Sequence, residues 1–195
     1  MAEAIYFYGR RFWPCLALGV APAALAVLFA NVSRELVLVL APTVSGAIIS
    51  AAFVRACTLV LETVPSRRRL VEAWLLGWLV FVPVPFLVLA FVIPGVLWLG
   101  ALGLVVPVVV AEEIRPRAAL ARAWRLARAD FLHAFGSLFT LGLVVVLSQT
   151  VLLFILRGFG GAEVSTALFL ASVVVSPLLF VGAALLYVDQ EARVQ

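Results

Sequence analysis

The chain contains no lysine, a single histidine and one methionine, and several long stretches of it carry no charge at all. Charged residues make up 12% of its 195 residues, about half the ~25% of an ordinary soluble domain. So little charge excludes a water-soluble globule. His133 and two cysteines, Cys15 and Cys57, provide no Cys/His spacing for a metal. There is no nucleotide-binding Gly-rich loop, no His-Glu-x-x-His motif and no acidic cluster inside an apolar run. The converging titratable groups that an enzyme needs are therefore not visible, and no cofactor or metal is expected. No linker, low-complexity tract or like-charge tail stands out, and no nucleic-acid partner is expected.

What is abundant is apolar. Hydrophobic residues reach 66% and mean hydropathy is +1.22. Uncharged runs cover 22 residues after Arg11, 19 from Leu36 to Val54, 39 from Ala73 to Ala111, 26 from Phe131 to Leu156 and 25 from Val164 to Val188. A helix needs roughly 20 apolar residues to cross a ~30 Å hydrocarbon layer. The run of 39 is two spans, with Pro94-Gly95 near its middle. The expected fold is all-α, a single integral membrane domain over residues 1–195. Its six spans cover about 12–32, 36–60, 73–92, 95–111, 131–156 and 164–188, joined as three hairpins. Arg10-Arg11 is expected to precede a first span and not a cleaved export signal, because the apolar stretch continues to spanning length.

The arginines orient the chain. Twelve of the fourteen fall on one side of this arrangement, leaving only Arg34 and Arg157 opposite. The positive-inside rule then places both termini in the cytoplasm of an inner-membrane protein. Tyr6, Tyr8, Trp13, Trp74, Trp78, Trp124 and Tyr187 are expected near the cytoplasmic interface, and Trp98 near the outer one. Cys15 and Cys57, near the inner ends of helices, are expected as free thiols.

Two segments carry the best functional clues. Pro116 suits a first helical turn, and at 100° per residue Arg117, Arg122, Arg125 and Arg128 share a face about 140° wide. Trp124 and the alanines take the remainder, so residues 116–130 read as a basic amphipathic interfacial helix. The four arginines and Trp124 are candidate contacts for anionic lipid headgroups, unless they serve only to hold the loop inside. Glu112 and Glu113, at the inner end of the fourth span, form a headgroup site or a helix-end ion pair with Arg55. Ser66 before Arg67-Arg68-Arg69 has the character of an N-cap to a shorter interfacial helix. Pro22, Pro42, Pro83, Pro85, Pro107 and Pro177 all fall within predicted spans, where each removes a backbone hydrogen bond. A weak internal repeat matches Leu70–Trp74 with Leu120–Trp124, and more loosely with the segment around Ala4 and Ile5.

Two stretches resemble a known family: Pro107–Glu113 continuing through Arg117–Leu126 and Phe131–Gly136, and the ending Leu185–Arg193. The family is the membrane domain found beside bacterial glycerophosphodiester phosphodiesterases, with its stand-alone six-helix relatives. Members usually carry Ser where Ala123 stands, and often an aromatic and an Arg near Val188 and Gln190. The resemblance implies an inner-membrane protein linked to lipid or glycerol-phosphate chemistry. It implies no phosphodiesterase activity, because the catalytic domain has no counterpart in these residues. The leading expectation is a non-enzymatic protein that binds or moves lipid or another amphiphile. The alternatives are a scaffold recruiting a protein partner or a second copy, and a membrane-embedded enzyme of lipid metabolism.

Overall fold

The structure is a computed structural model that describes residues 2–30, 33–90, 92–112, 114–129, 131–156 and 161–194. Among these residues every regular element is a helix: α1 (Ala2–Arg10), α2 (Phe12–Ala30), α3 (Arg34–Val60), α4 (Arg67–Phe81), α5 (Val84–Ala90), α6 (Val92–Leu102), α7 (Val105–Glu112), α8 (Pro116–Ala129), α9 (Phe131–Leu156) and α10 (Gly161–Val194). Four stretches are helical, long and apolar enough to cross a membrane: Phe12–Phe29, Pro42–Val60, Arg67–Leu87 and Ser172–Arg193. Leu97–Glu112 and Phe135–Val144 are shorter apolar helical stretches.

Within the described residues, the segments expected as the first, second, fifth and sixth spans are each one helix. The third and fourth are not straight rods. The third begins at Arg67, and helix gives way to a turn at Val82-Pro83 before α5. Pro83 and Pro85 have no N–H for the carbonyls of Leu79 and Phe81, so two bonds of one turn are missing. The bond from Val82 N–H to the Trp78 carbonyl and that from Leu87 N–H to the Pro83 carbonyl, both 2.9 Å, keep the chain close to helical on either side. The fourth breaks at Gly103-Leu104. Pro107 then sits in the first turn of α7, where a missing N–H costs nothing. Ser66 does cap a helix, its Oγ accepting from the Arg69 N–H at 3.4 Å. That helix is the start of α4 itself, so no separate short helix forms there.

Packing is organised around α10 and α7. α10 touches α1, α2, α3, α7, α8 and α9. Its 34 residues run about 50 Å at 1.5 Å per residue, well beyond a ~30 Å hydrocarbon layer. α7 is short but buried all round, from Val105 to Val110. An apolar sequence without a polar face is what such a position requires. Together with Ala52–Val54, Ala56, Cys57, Ala73, Ala119, Ala123, Leu126, Phe180, Ala183, Ala184, Leu186 and Tyr187, α7 forms the main core. Cys15 and Cys57 are buried and unbonded to each other.

Three tryptophans bond to neighbouring helices through their indole N–H groups. Trp74 and Trp78 of α4 stack at 6.0 Å. Their indole N–H groups donate to the carbonyls of Ala47 (2.8 Å) and Thr43 (2.9 Å) on α3. Trp98 donates to the Val80 carbonyl at 2.9 Å. An indole N–H that packs against another helix gives up water and needs a protein acceptor, and each of the three finds a backbone oxygen. Trp13 and Trp124 remain exposed.

The repeated segments share a burial pattern. Ala4, Ala73 and Ala123 are all buried, and so are Tyr8, Gly77 and Ala127 four residues on. Residues i and i+4 lie on one helix face, so α1, α4 and α8 each dock by the same stripe.

Candidate functional site

α8 is the centre of the site. Ala119, Ala123, Leu126 and Ala127 turn inward at 0–1% exposure, a spacing of i, i+4, i+7 and i+8 that places them on one stripe. Arg117, Arg125, Arg128 and Trp124 are exposed. The Arg128 guanidinium lies over the Trp124 ring, 5.1 Å from its centroid. The two are one helical turn apart, and a cation over an exposed indole contributes about 0.5–1 kcal/mol. Beside them opens a cleft of about 430 Å³, bordered by Ala101 of α6 and by Trp124, Ala127 and Arg128 of α8.

Arg122 behaves differently from the other three. Its Nε donates to Glu112 Oε1 at 3.1 Å, and the same oxygen accepts from the Tyr187 hydroxyl at 3.1 Å. One carboxylate at the end of α7 thus holds α8 and α10 together. Glu112 and Arg122 are only 20% and 24% exposed, so their attraction is screened less than that of a surface pair. The structure brings Glu112 to Arg122 and not to Arg55, which is exposed and makes no ion pair among the described residues. Glu113 lies outside the described residues. The α7–α8 connection is also pinned from α4: Arg69 donates to the Ile114 carbonyl at 2.6 Å and to Glu72 at 3.1 Å.

The N-terminal segment joins the same end of the bundle. α1 docks on α10 through Ala4 and Tyr8, leaving Ile5 and Tyr6 exposed. Burial holds the Tyr8 phenol above its ordinary range, and Cys15 nearby adds to this. Arg11 pairs with Glu62, which adopts φ 51° just after α3. That left-handed residue is the common way to close a helix, though glycine usually takes the position.

Sequence reasoning missed two members of this region. Tyr187 was read as an interfacial aromatic, yet it is 1% exposed and bonded to Glu112. Gln190, one turn further, is fully buried, and its amide has no hydrogen-bond partner among the described residues. A polar residue within the last turns of a long apolar helix was the available signal for it. Among the described residues no three His, Cys, Asp or Glu side chains come together as a metal site would require. No family model matches the chain, and neither a curated protein nor a solved structure does.

Proposed function

We propose that the chain is a multi-pass inner-membrane protein that binds, or helps to move, anionic lipid or a related amphiphile without chemical change. The observation that carries this reading is α8, a docked helix exposing Arg117, Arg125 and Arg128 with Trp124 and containing no acidic residue. Arginine suits phosphate because its planar fork donates two parallel hydrogen bonds. The likeness of Pro107–Leu126 and Leu185–Arg193 to the phosphodiesterase-linked membrane family points to the same chemistry. In this reading α4 with α5 and α6 with α7 are the third and fourth of six spans. The spans form three hairpins, and both termini lie in the cytoplasm.

Two measurements test the proposal. A phosphatase fused after Gln195 is expected to be inactive, and one inserted near Gly160 active, because that reporter works only outside the cytoplasm. The reverse pattern contradicts the orientation. For lipid binding, anionic phospholipid is expected to be enriched in purified protein over a detergent blank. Arg125→Gln with Arg128→Gln is expected to lower this enrichment roughly tenfold or more, at about 1 kcal/mol per arginine. Salt is expected to weaken the wild type too, since exposed charges are screened within ~10 Å at 0.1 M. A double variant that inserts normally and retains as much anionic lipid as the wild type makes the arginines topology determinants only. The scaffold reading then takes precedence.

A further inference from the structure

We infer that the cleft between α6 and α8 seats one acyl chain of an anionic phospholipid, with its phosphate held at the cleft mouth by Arg128 and Arg125. This deepens the lipid-binding reading and rests on it. The cleft is bordered by the single methyl groups of Ala101 and Ala127. Ala127 is buried in the docking stripe and Ala101 is partly exposed, so Ala101 is the position at which a longer side chain tests it. Its ~430 Å³ lies near the lower end of ligand clefts, roughly 300–1,000 Å³. One lipid chain enters it and the second stays in the bilayer.

The mouth selects charge. Arg128 borders the cleft while its guanidinium covers Trp124, so its apolar stem lies along the wall and its charge stays at the rim. Arg125, three residues earlier, lies on the same face. Arg122 is engaged by Glu112, and no acidic residue occurs between Pro116 and Ala129. The charge that α8 itself presents at the mouth is therefore positive, and the acidic residue nearest in sequence is Asp130, directly after the helix. A zwitterionic headgroup gains less there than an anionic one.

Trp124 provides the readout because it borders the cleft. The probe is phosphatidylglycerol brominated on one acyl chain, added to detergent-purified protein, with the matching brominated phosphatidylcholine as comparison. Bromine quenches indole fluorescence on contact. Brominated phosphatidylglycerol is expected to quench a component that Trp124→Phe removes. Arg128→Gln is expected to weaken its binding roughly fivefold. Ala101→Leu, filling the cleft, should weaken it about tenfold, while Ala118→Leu on the exposed side of α8 should leave it unchanged. Quenching that persists in a folded Ala101→Leu protein, or undiminished affinity in Arg128→Gln, overturns the inference. If Ala101→Leu does not fold, Arg128→Gln and Trp124→Phe decide. A wild type with no preference for phosphatidylglycerol over phosphatidylcholine defeats the lipid-binding reading as well. A preference unaffected by these variants defeats the cleft alone.

Discussion

Gly19→Ala is expected to destabilise the protein by on the order of 3 kcal/mol, the upper end of overpacking costs. A Cβ at Gly19 would lie 2.2 Å from the Val173 carbonyl oxygen and 2.8 Å from its carbon. Both are backbone atoms of α10 and cannot rotate aside. The carbonyl is also unusual. Pro177, four residues on and inside α10, has no N–H to bond it. Gly19 therefore packs against an oxygen that lacks its usual bond from the residue four positions on. Gly182→Ala is the control. Its Cβ would meet only the tips of the Leu141 side chain, at 2.6 and 2.9 Å, and these can turn away. Thermal unfolding in detergent should separate the two, with Gly19→Ala lowering the midpoint by roughly 6–12 °C at 2–4 °C per kcal/mol. Equal shifts for both variants would sink the argument.

Glu112→Ala is expected to cost about 2–3 kcal/mol and to loosen α8. It leaves the Arg122 guanidinium and the Tyr187 hydroxyl without their shared acceptor. Breaking a fully buried pair costs about 3–5 kcal/mol, and the partial exposure here lowers that figure. The tie matters because the inward face of α8 is mostly alanine. Each alanine methyl contributes about 0.8 kcal/mol when buried, far less than a leucine would. Tyr187→Phe removes one bond and leaves the ion pair, so it should cost only about 1 kcal/mol. Pairing Glu112→Leu with Arg122→Met should recover part of the loss, because no charge is left stranded. Trypsin offers a second measurement, since Arg117, Arg125 and Arg128 lie along α8. Cleavage there should accelerate in Glu112→Ala and much less in Tyr187→Phe. If cleavage and unfolding match the wild type, the apolar stripe alone holds the helix.

The apolar helices and the start of α8 at Pro116 were legible because both follow from local rules: run length, charge spacing and the missing N–H of proline. Which prolines would interrupt a helix was not. Pro22, Pro42 and Pro177 sit inside continuous helices, each removing one bond. Pro83 and Pro85 remove two from a single turn. The partner of Glu112 was hidden for another reason. Arg122 is ten residues away and Tyr187 is 75, and nothing in the spacing favours them over Arg55. The acceptors of the three tryptophan N–H groups were hidden in the same way, because only tertiary packing brings the carbonyls of Ala47, Thr43 and Val80 to them.

The placement of α10 bears on how the chain is made. The helix that α1, α2, α3, α7, α8 and α9 all lean on leaves the ribosome after every one of them. Until then the α2 surface around Gly19 has no native neighbour, and closing that contact means joining segments separated by most of the chain. The contacts of α2 with α3 and of α3 with α4 join neighbours in sequence and need no later helix, so closure over Gly19 is the step that costs the longest loop.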